Sequence, residues 1–202
     1  MMRLFSGRPR RLVAPTAFVA LVLAVAAAAA CGNFTGVPAS LPTVADTGDV
    51  VYALNGAPPG APTALHIFSG QLLAADATFT FDVAFDIDST GKVVYLPQRA
   101  VASGLATTHT VGLQTQTALY DSLSSAPTSG YRADTALVTN PGVTVVAQSS
   151  DPNACSVSLT GTTIYAKIVV TSVDRVARQL KVKFTTDPNC GFRSFASGVP
   201  KS

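Results

Sequence analysis

The feature that most limits how this chain can fold is a stretch of regular alternation between residues 78 and 87. Its apolar side chains are Phe79, Phe81, Val83, Phe85 and Ile87. The polar side chains between them are Thr78, Thr80, Asp82 and Asp86. A period of two predicts a β-strand with its apolar side chains in a core, while Asp82 and Asp86 face water. The turn at 88–91, the run at 92–96 and Pro97 predict a hairpin with a second strand.

The acidic residues indicate the same fold class. All 11 are Asp and none is Glu, and Asp favours turns and caps whereas Glu favours helices. Strand-like runs occur at 49–54, 64–68, 78–87, 92–96, 110–116, 132–138, 143–148, 164–171 and 180–185. The only helical signal is a single turn at 118–123. The sequence therefore predicts one all-β domain over residues 48–202, an antiparallel β-sandwich or partly open barrel of about nine strands.

The first 31 residues have the layout of an export signal. Their basic residues are Arg3, Arg8, Arg10 and Arg11. Residues 12–30 carry no charge and end in three alanines before Cys31, as is typical of a signal peptide. This ending resembles the lipobox of bacterial lipoprotein precursors, in which a small residue precedes an invariant cysteine. The resemblance implies that residues 1–30 are a signal peptide that is removed and that Cys31 carries lipid. Residues 31–47 would then tether the domain to a bacterial envelope membrane, facing the periplasm or the exterior.

Two other interpretations of this leader remain open. The apolar run approaches the length needed to cross a bilayer, so it could act as an uncleaved anchor. An ordinary signal peptidase could instead cut after Ala30 and leave Cys31 as a free thiol. The cysteine count favours lipid on Cys31, because the chain has three cysteines and an odd free thiol is unfavourable in an oxidising compartment.

Lipid on Cys31 would leave Cys155 and Cys190 to pair with each other. They follow similar segments, Asp-Pro-Asn-Ala and Asp-Pro-Asn, and they flank the last predicted hairpin on opposite arms. We therefore predict a structural disulfide at the base of that hairpin, where a closed loop of this size contributes about 3–4 kcal/mol in the chain-entropy model. A metal or redox pair is the alternative, but the chain has no Cys-x-x-Cys and no histidine beside either cysteine.

Charge bears on the class of partner. Four of the 14 basic residues lie in the leader, so residues 31–202 carry 10 basic and 11 acidic residues, a net charge of −1. This balance does not predict binding to nucleic acid. A basic face is nevertheless predicted on the last hairpin, formed by Tyr165, Lys167, Lys181 and Lys183. It could bind envelope polysaccharide, anionic lipid or another envelope protein, although lysines also protect solvated sheet edges.

No motif in the chain predicts a metal or cofactor site. His66 and His109 are the only histidines, and their spacing is not that of a metal-binding pair. The segment 86–91 has oxygen ligands at alternate positions, as in a calcium loop, but Pro97 stands where such a loop has its bidentate Glu. We interpret that segment as an Asp-rich hairpin turn.

Catalytic motifs are likewise not recognised, since neither a nucleophile elbow nor a phosphate-binding glycine loop occurs. The sequence therefore predicts a non-enzymatic binding or structural module without a cofactor. The alternative is an envelope hydrolase that uses carboxylates such as Asp82 and Asp86. Clustering of Asp side chains around His66 or His109 would favour that alternative.

Overall fold

The computed structural model describes residues 38–76, 80–102, 104, 109–151, 154–156, 158 and 161–200. Within these residues the strands are β1 (Val44–Tyr52), β2 (Ala64–His66), β3 (Gln71–Leu73), β4 (Val83–Ile87), β5 (Val93–Pro97), β6 (Thr110–Gln116), β7 (Arg132–Ala133), β8 (Leu137–Thr139), β9 (Thr144–Ser150), β10 (Thr163–Asp174) and β11 (Gln179–Asp187). A short helix, α1 (Gln98–Val101), and a 3₁₀ turn at Tyr120–Ser122 complete the secondary structure of the described chain.

These strands form two antiparallel sheets. One has six strands in the order β1-β11-β10-β9-β6-β7, and the other has five in the order β3-β2-β4-β5-β8. The sheets do not close into a barrel. The predicted all-β class and the β-sandwich are therefore confirmed, and the partly open barrel is not the form adopted.

The main core lies between the sheets and is built from both of them. The five-stranded sheet and the turn after β2 contribute Leu65, Ile67, Val83, Phe85, Ile87, Val93, Tyr95 and Leu137. The six-stranded sheet contributes Val51, Val111, Leu113, Val145, Ala147, Ile164, Ala166, Ile168, Val170, Leu180, Val182 and Phe184. The rings of Phe85 and Tyr95 meet edge-on with centroids 5.7 Å apart. Burial of a large apolar side chain stabilises the fold by about 1.5–3 kcal/mol, so this core is the main source of stability.

Both clear hairpins of the sequence analysis are present. Between β4 and β5, the Asp88 carboxylate accepts hydrogen bonds from the backbone N–H groups of Thr90 and Lys92, at 2.8 and 2.9 Å. Gly91 in the same turn has φ +89°, a value that glycine adopts without steric cost. The terminal hairpin pairs β10 with β11 and contains a bulge between Val170 and Ser172.

The prediction of one strand over 132–138 is wrong. Its first part is β7 of the six-stranded sheet, whereas β8 belongs to the five-stranded sheet. Asp134, between them, has φ +49° and marks the point at which the chain leaves one sheet for the other. The predicted turn at 140–142 then returns the chain to β9, with Gly142 at φ +86°, as a type II turn requires. At the other end of the domain, β1 begins at Val44, within the range predicted as tether.

Strand β4 is shorter than predicted. It begins at Val83, and Thr78 and Phe79 lie outside the described residues. Val83 and the two apolar residues that alternate after it enter the main core as predicted. Phe81 precedes the strand and does not follow its period. It packs in a separate cluster with Ala64 and Ala84.

The prediction that the acidic residues of this segment face water is wrong. Asp82 and Asp86 are only 1% and 7% exposed and do not face water. Every residue of β4 is buried, so neither face of this strand is solvated. The two carboxylates are held instead by side chains from elsewhere in the chain.

The predicted disulfide is confirmed. Cys155 and Cys190 are bonded, with 2.08 Å between their sulfur atoms and 5.8 Å between their Cα atoms. Cys155 lies between β9 and β10 and is 3% exposed, and Cys190 follows β11. The bond therefore links the two arms at the base of the terminal hairpin and is packed against the main core.

Candidate functional site

A buried polar cluster joins the two sheets where β4 begins. Asp82 comes just before β4, His109 just before β6, and Ser149 lies in β9. Nε2 of His109 is 2.9 Å from Oδ1 of Asp82 and 2.8 Å from Oγ of Ser149. The Ser149 hydroxyl donates a hydrogen bond to the same Oδ1. These three residues are called the His109 cluster below.

Burial explains why the His109 cluster needs so many hydrogen bonds. Ser149 is fully buried, and the side chains of Asp82 and His109 are 2% and 13% exposed. A carboxylate removed from water is strongly destabilising unless donors replace its hydration. Asp82 receives them from His109, from Ser149 and from the backbone N–H of Ile67, which lies 2.6 Å from Oδ2. The five-stranded sheet thus supplies the acceptor, and the six-stranded sheet supplies two of its donors.

The hydrogen-bond network assigns the hydrogen on the imidazole ring. The single hydroxyl proton of Ser149 goes to Asp82, so Ser149 cannot also donate to His109. Asp82 Oδ1 is an acceptor. Nε2 of His109 therefore donates to both oxygens, and Nδ1 is the nitrogen that gains or loses a proton.

The surroundings of His109 raise its pKa from the ordinary value of 6.5. Burial is the largest influence and acts to lower the pKa. The hydrogen bond and the charge of Asp82 act against it, the charges of Asp151 and Asp134 add to their effect, and together they outweigh burial. His109 therefore holds its second proton more strongly than a free imidazole and forms an ion pair with Asp82.

A second polar cluster joins the sheets near the other end of β4. Asp86 Oδ1 accepts a hydrogen bond from Arg178 Nη2 at 2.6 Å, and the Asn55 amide donates to Oδ2. Arg178 also donates to the carbonyls of Ile87 and Asn55, both at 3.1 Å. Because Arg178 lies in the turn between β10 and β11, these contacts connect the six-stranded sheet to β4. Asn55, Asp86 and Arg178 are called the Arg178 cluster below.

Asp82 and Asp86 do not form the acid pair that a two-carboxylate hydrolase would use. They are four positions apart along the chain, or roughly 13 Å in an extended strand, and each is bound to its own partners. His66 lies at the end of β2 with Nδ1 2.8 Å from the hydroxyl of Ser69. The structure therefore brings one predicted carboxylate, Asp82, to one of the two histidines, His109.

The predicted basic face is partly covered. Its members share one side of the terminal hairpin, but Tyr165 and Lys167 are only 7% and 6% exposed. Lys167 Nζ donates to the carbonyls of Tyr120 and Leu123, at 3.0 and 2.9 Å, and lies 4.5 Å from the centre of the Tyr120 ring. Burial lowers the pKa of Lys167, and the charge of Asp121 opposes that shift. Tyr165 and Lys167 therefore pack inside the domain and do not belong to an open surface.

The other two lysines of that face are closer to solvent. Lys183 forms an ion pair with Asp121 at 2.7 Å, and Lys181 is exposed. The cover over the face is formed by residues 119–126 together with Phe195, which packs with Ala126 beside the hairpin. Of the four residues of the predicted basic face, Lys181 is therefore the most open to solvent.

Comparison with protein families, with curated proteins and with solved structures finds no match to this chain. Within the described residues, no group of three or more His, Cys, Asp or Glu side chains is arranged to hold a metal ion. The described helices also include none long and apolar enough to cross a membrane. The site must therefore be interpreted from its own geometry.

Sequence reasoning named Asp82 and His109 but did not connect them, and it missed Ser149 and Arg178. The contacts of Asp82 are distant in sequence, with separations of 27 positions to His109 and 67 to Ser149. The one available signal was an Asp between large apolar residues at the start of the alternating run. Such a residue is either solvated or held by buried donors, and the period-two pattern alone favours the first.

Proposed function

We propose that this chain is a lipid-anchored protein of the bacterial cell envelope whose β-sandwich is a non-enzymatic binding or structural module. The observation that carries the non-enzymatic part of the proposal is how Ser149 is buried and bonded. Its hydroxyl is the nucleophile-type group beside His109 and Asp82, yet it is fully buried and donates its proton to Asp82. A catalytic nucleophile must instead reach substrate and give its proton to a base. In the His109 cluster these groups hold two sheets together.

Attachment through Cys31 is supported by the way the following chain joins the sandwich. The backbone N–H groups of Ser40 and Leu41 both donate to Asn189 Oδ1 at 3.0 Å, and the Asn189 amide donates to the Leu41 carbonyl at 2.8 Å. Asn189 is adjacent to Cys190 of the disulfide. The described chain that follows Cys31 is thus bonded next to a cross-linked hairpin.

The membrane is accordingly the partner that we propose for the anchor. Envelope polysaccharide, anionic lipid or another envelope protein would have to be bound elsewhere than at Tyr165 and Lys167, because these side chains are buried. Lys181 keeps an exposed charge for a rim contact. Rim charges affect association more through steering than through affinity.

The anchor is tested by replacing its cysteine. Wild type, Cys31→Ser and the control Thr35→Ser would be compared by membrane fractionation and intact mass. We expect wild type and the control in the membrane fraction, with the mass of residues 31–202 plus lipid, and we expect Cys31→Ser to lack the lipid. Retention of Cys31→Ser in membranes at unchanged mass would support the uncleaved anchor. A wild-type mass without lipid would support ordinary cleavage after Ala30.

The hydrolase alternative has one supporting contact, the bond between Asp82 and His109. It predicts release of reducing ends or peptides from isolated envelope polymers by the wild-type protein. Asp82→Asn should then abolish that release while leaving the protein folded. If wild type released neither reducing ends nor peptides, and Asp82→Asn remained folded, the non-enzymatic module would be supported instead.

A further inference from the structure

The His109 cluster joins the two sheets through a group that titrates near neutral pH. We propose that it is a pH-sensitive clasp, which closes one end of the sandwich when both ring nitrogens of His109 carry hydrogen and loosens when Nδ1 loses its hydrogen. The clasp consists of residues present in the folded domain, so it does not depend on lipid attachment or on location.

The geometry gives the clasp two sides. Asp82 and the backbone N–H of Ile67 belong to the five-stranded side, whereas His109 and Ser149 belong to the six-stranded side. When His109 is protonated, its positive charge lies 2.9 Å from the Asp82 carboxylate and the buried pair has no net charge. When Nδ1 is deprotonated, the same hydrogen bonds remain but one buried negative charge is left without a counter-charge. Such a charge favours opening to water.

Besides Asp82, two charged groups shift the pKa of His109, and both favour its protonated form. Asp151 follows β9, and Asp134 lies between β7 and β8. Arg99 of α1 pairs with Asp134 at 3.0 Å and partly offsets it. No ionisable side chain occurs at the positions near His109 that the structure does not describe, which are 103, 105–108, 152–153, 157 and 159–160. Loss of the proton from His109 is therefore opposed by the charges of Asp82, Asp151 and Asp134 together.

The direction of the effect follows from linkage. The pKa of His109 is raised above 6.5 in the folded protein. The stabilisation from its protonation is fully present below about pH 6.5 and is lost as pH rises through the folded-state pKa. The clasp is thus closed under mildly acidic conditions and weakened under mildly alkaline ones. A domain outside the cytoplasm, as proposed above, would experience such changes directly.

Two backbone amides report on the clasp and on a matched position. The Ile67 N–H donates to Asp82 in the His109 cluster, and the Ile87 N–H donates to Asp86 in the Arg178 cluster at 2.8 Å. Hydrogen exchange of both amides would be measured in the full-length chain in detergent, at about pH 6 and about pH 8.5, as protection relative to intrinsic exchange. Wild type, His109→Gln and the control His66→Gln would be compared.

We expect protection of Ile67 in wild type to fall several-fold at the higher pH while protection of Ile87 stays constant. His66→Gln should behave as wild type, and His109→Gln should remove the pH dependence at Ile67. Equal protection of Ile67 at both pH values in wild type would overturn the proposal, whether or not either variant folds. Persistence of the pH dependence in His109→Gln would overturn it as well.

Discussion

The two ends of β4 bury the same chemical group and hold it in different ways. Asp82 is held by an imidazole and a hydroxyl, whereas Asp86 is held by a guanidinium and an amide. An arginine keeps its charge at every pH at which the protein is folded, but a histidine does not. We therefore expect the charge of the partner of Asp86 to stay the same between mildly acidic and mildly alkaline pH, and the charge of the partner of Asp82 to change.

The disulfide lies at the titratable end. Cys155 follows β9, and its backbone N–H donates to the carbonyl of Asp151 at 3.1 Å, the residue whose charge acts on His109. The end whose ionic contact varies with pH is thus the end that carries the covalent cross-link. This pairing suggests that the disulfide keeps the hairpin arms together while the His109 cluster loosens.

The largest loss of stability is expected from a substitution in the middle of β4, between its two polar clusters. Phe85 is fully buried in the main core between Asp82 and Asp86. Phe85→Ala should lower the free energy of unfolding by about 3–5 kcal/mol, equally at mildly acidic and mildly alkaline pH. Denaturant unfolding at both pH values measures this. A pH-dependent loss would mean that the core and the two polar clusters are not separable.

The next largest effect concerns the cross-linked end. Replacing both cysteines, in Cys155→Ser/Cys190→Ser, should cost about 3–4 kcal/mol for a loop of this size. The cost should be greater at alkaline than at acidic pH if the disulfide compensates for a weakened clasp. Thermal unfolding of the double variant at both pH values would test this, and a cost that is greater at acidic pH would contradict it.

A smaller effect is expected at the Arg178 cluster. Arg178→Met removes the charged partner of Asp86 and should lower the free energy of unfolding by about 1–3 kcal/mol, less than for a fully buried pair because the guanidinium is partly exposed. The loss should not vary between about pH 6 and about pH 8.5. Arg175→Met is the matched control in the same turn, because the Arg175 guanidinium donates to a backbone carbonyl, that of Ser89, at 2.8 Å. A similar loss of stability in both variants would contradict a specific contribution of the Arg178 contact with Asp86.

The smallest effect, and the most informative for the comparison, is expected at His109. His109→Gln should lower the free energy of unfolding by on the order of 1 kcal/mol at about pH 6, the usual scale for the loss of one hydrogen-bonded partner. The cost should shrink as pH rises, because deprotonation has then already weakened the wild-type contact. Urea unfolding across this range, with His66→Gln as the control, measures the difference. A cost that grows with pH would show that the linkage has the opposite sign.

The sequence predicted those parts of the fold that depend on residues close together in the chain. The apolar residues of β4, the turns at Gly91 and Gly142 and the pairing of Cys155 with Cys190 all follow from nearby residues or from the cysteine count. The burial of Asp82 does not, because its donors come from distant strands. The burial of Lys167 does not either, because the segment 119–126 that covers it has no periodic pattern. Alternation identifies a strand but does not reveal what packs on its polar side.

The central claim is that His109 donates from Nε2 to Asp82 in both charge states and gains or loses its second proton at Nδ1. Nitrogen NMR of the two imidazoles in the full-length chain tests it directly, with His66→Gln assigning the signals. We expect His109 to titrate with a pKa above 6.5, to keep its hydrogen on Nε2 when neutral, and to titrate lower in Asp82→Asn. A pKa at or below 6.5, or a neutral form with its hydrogen on Nδ1, would contradict the account.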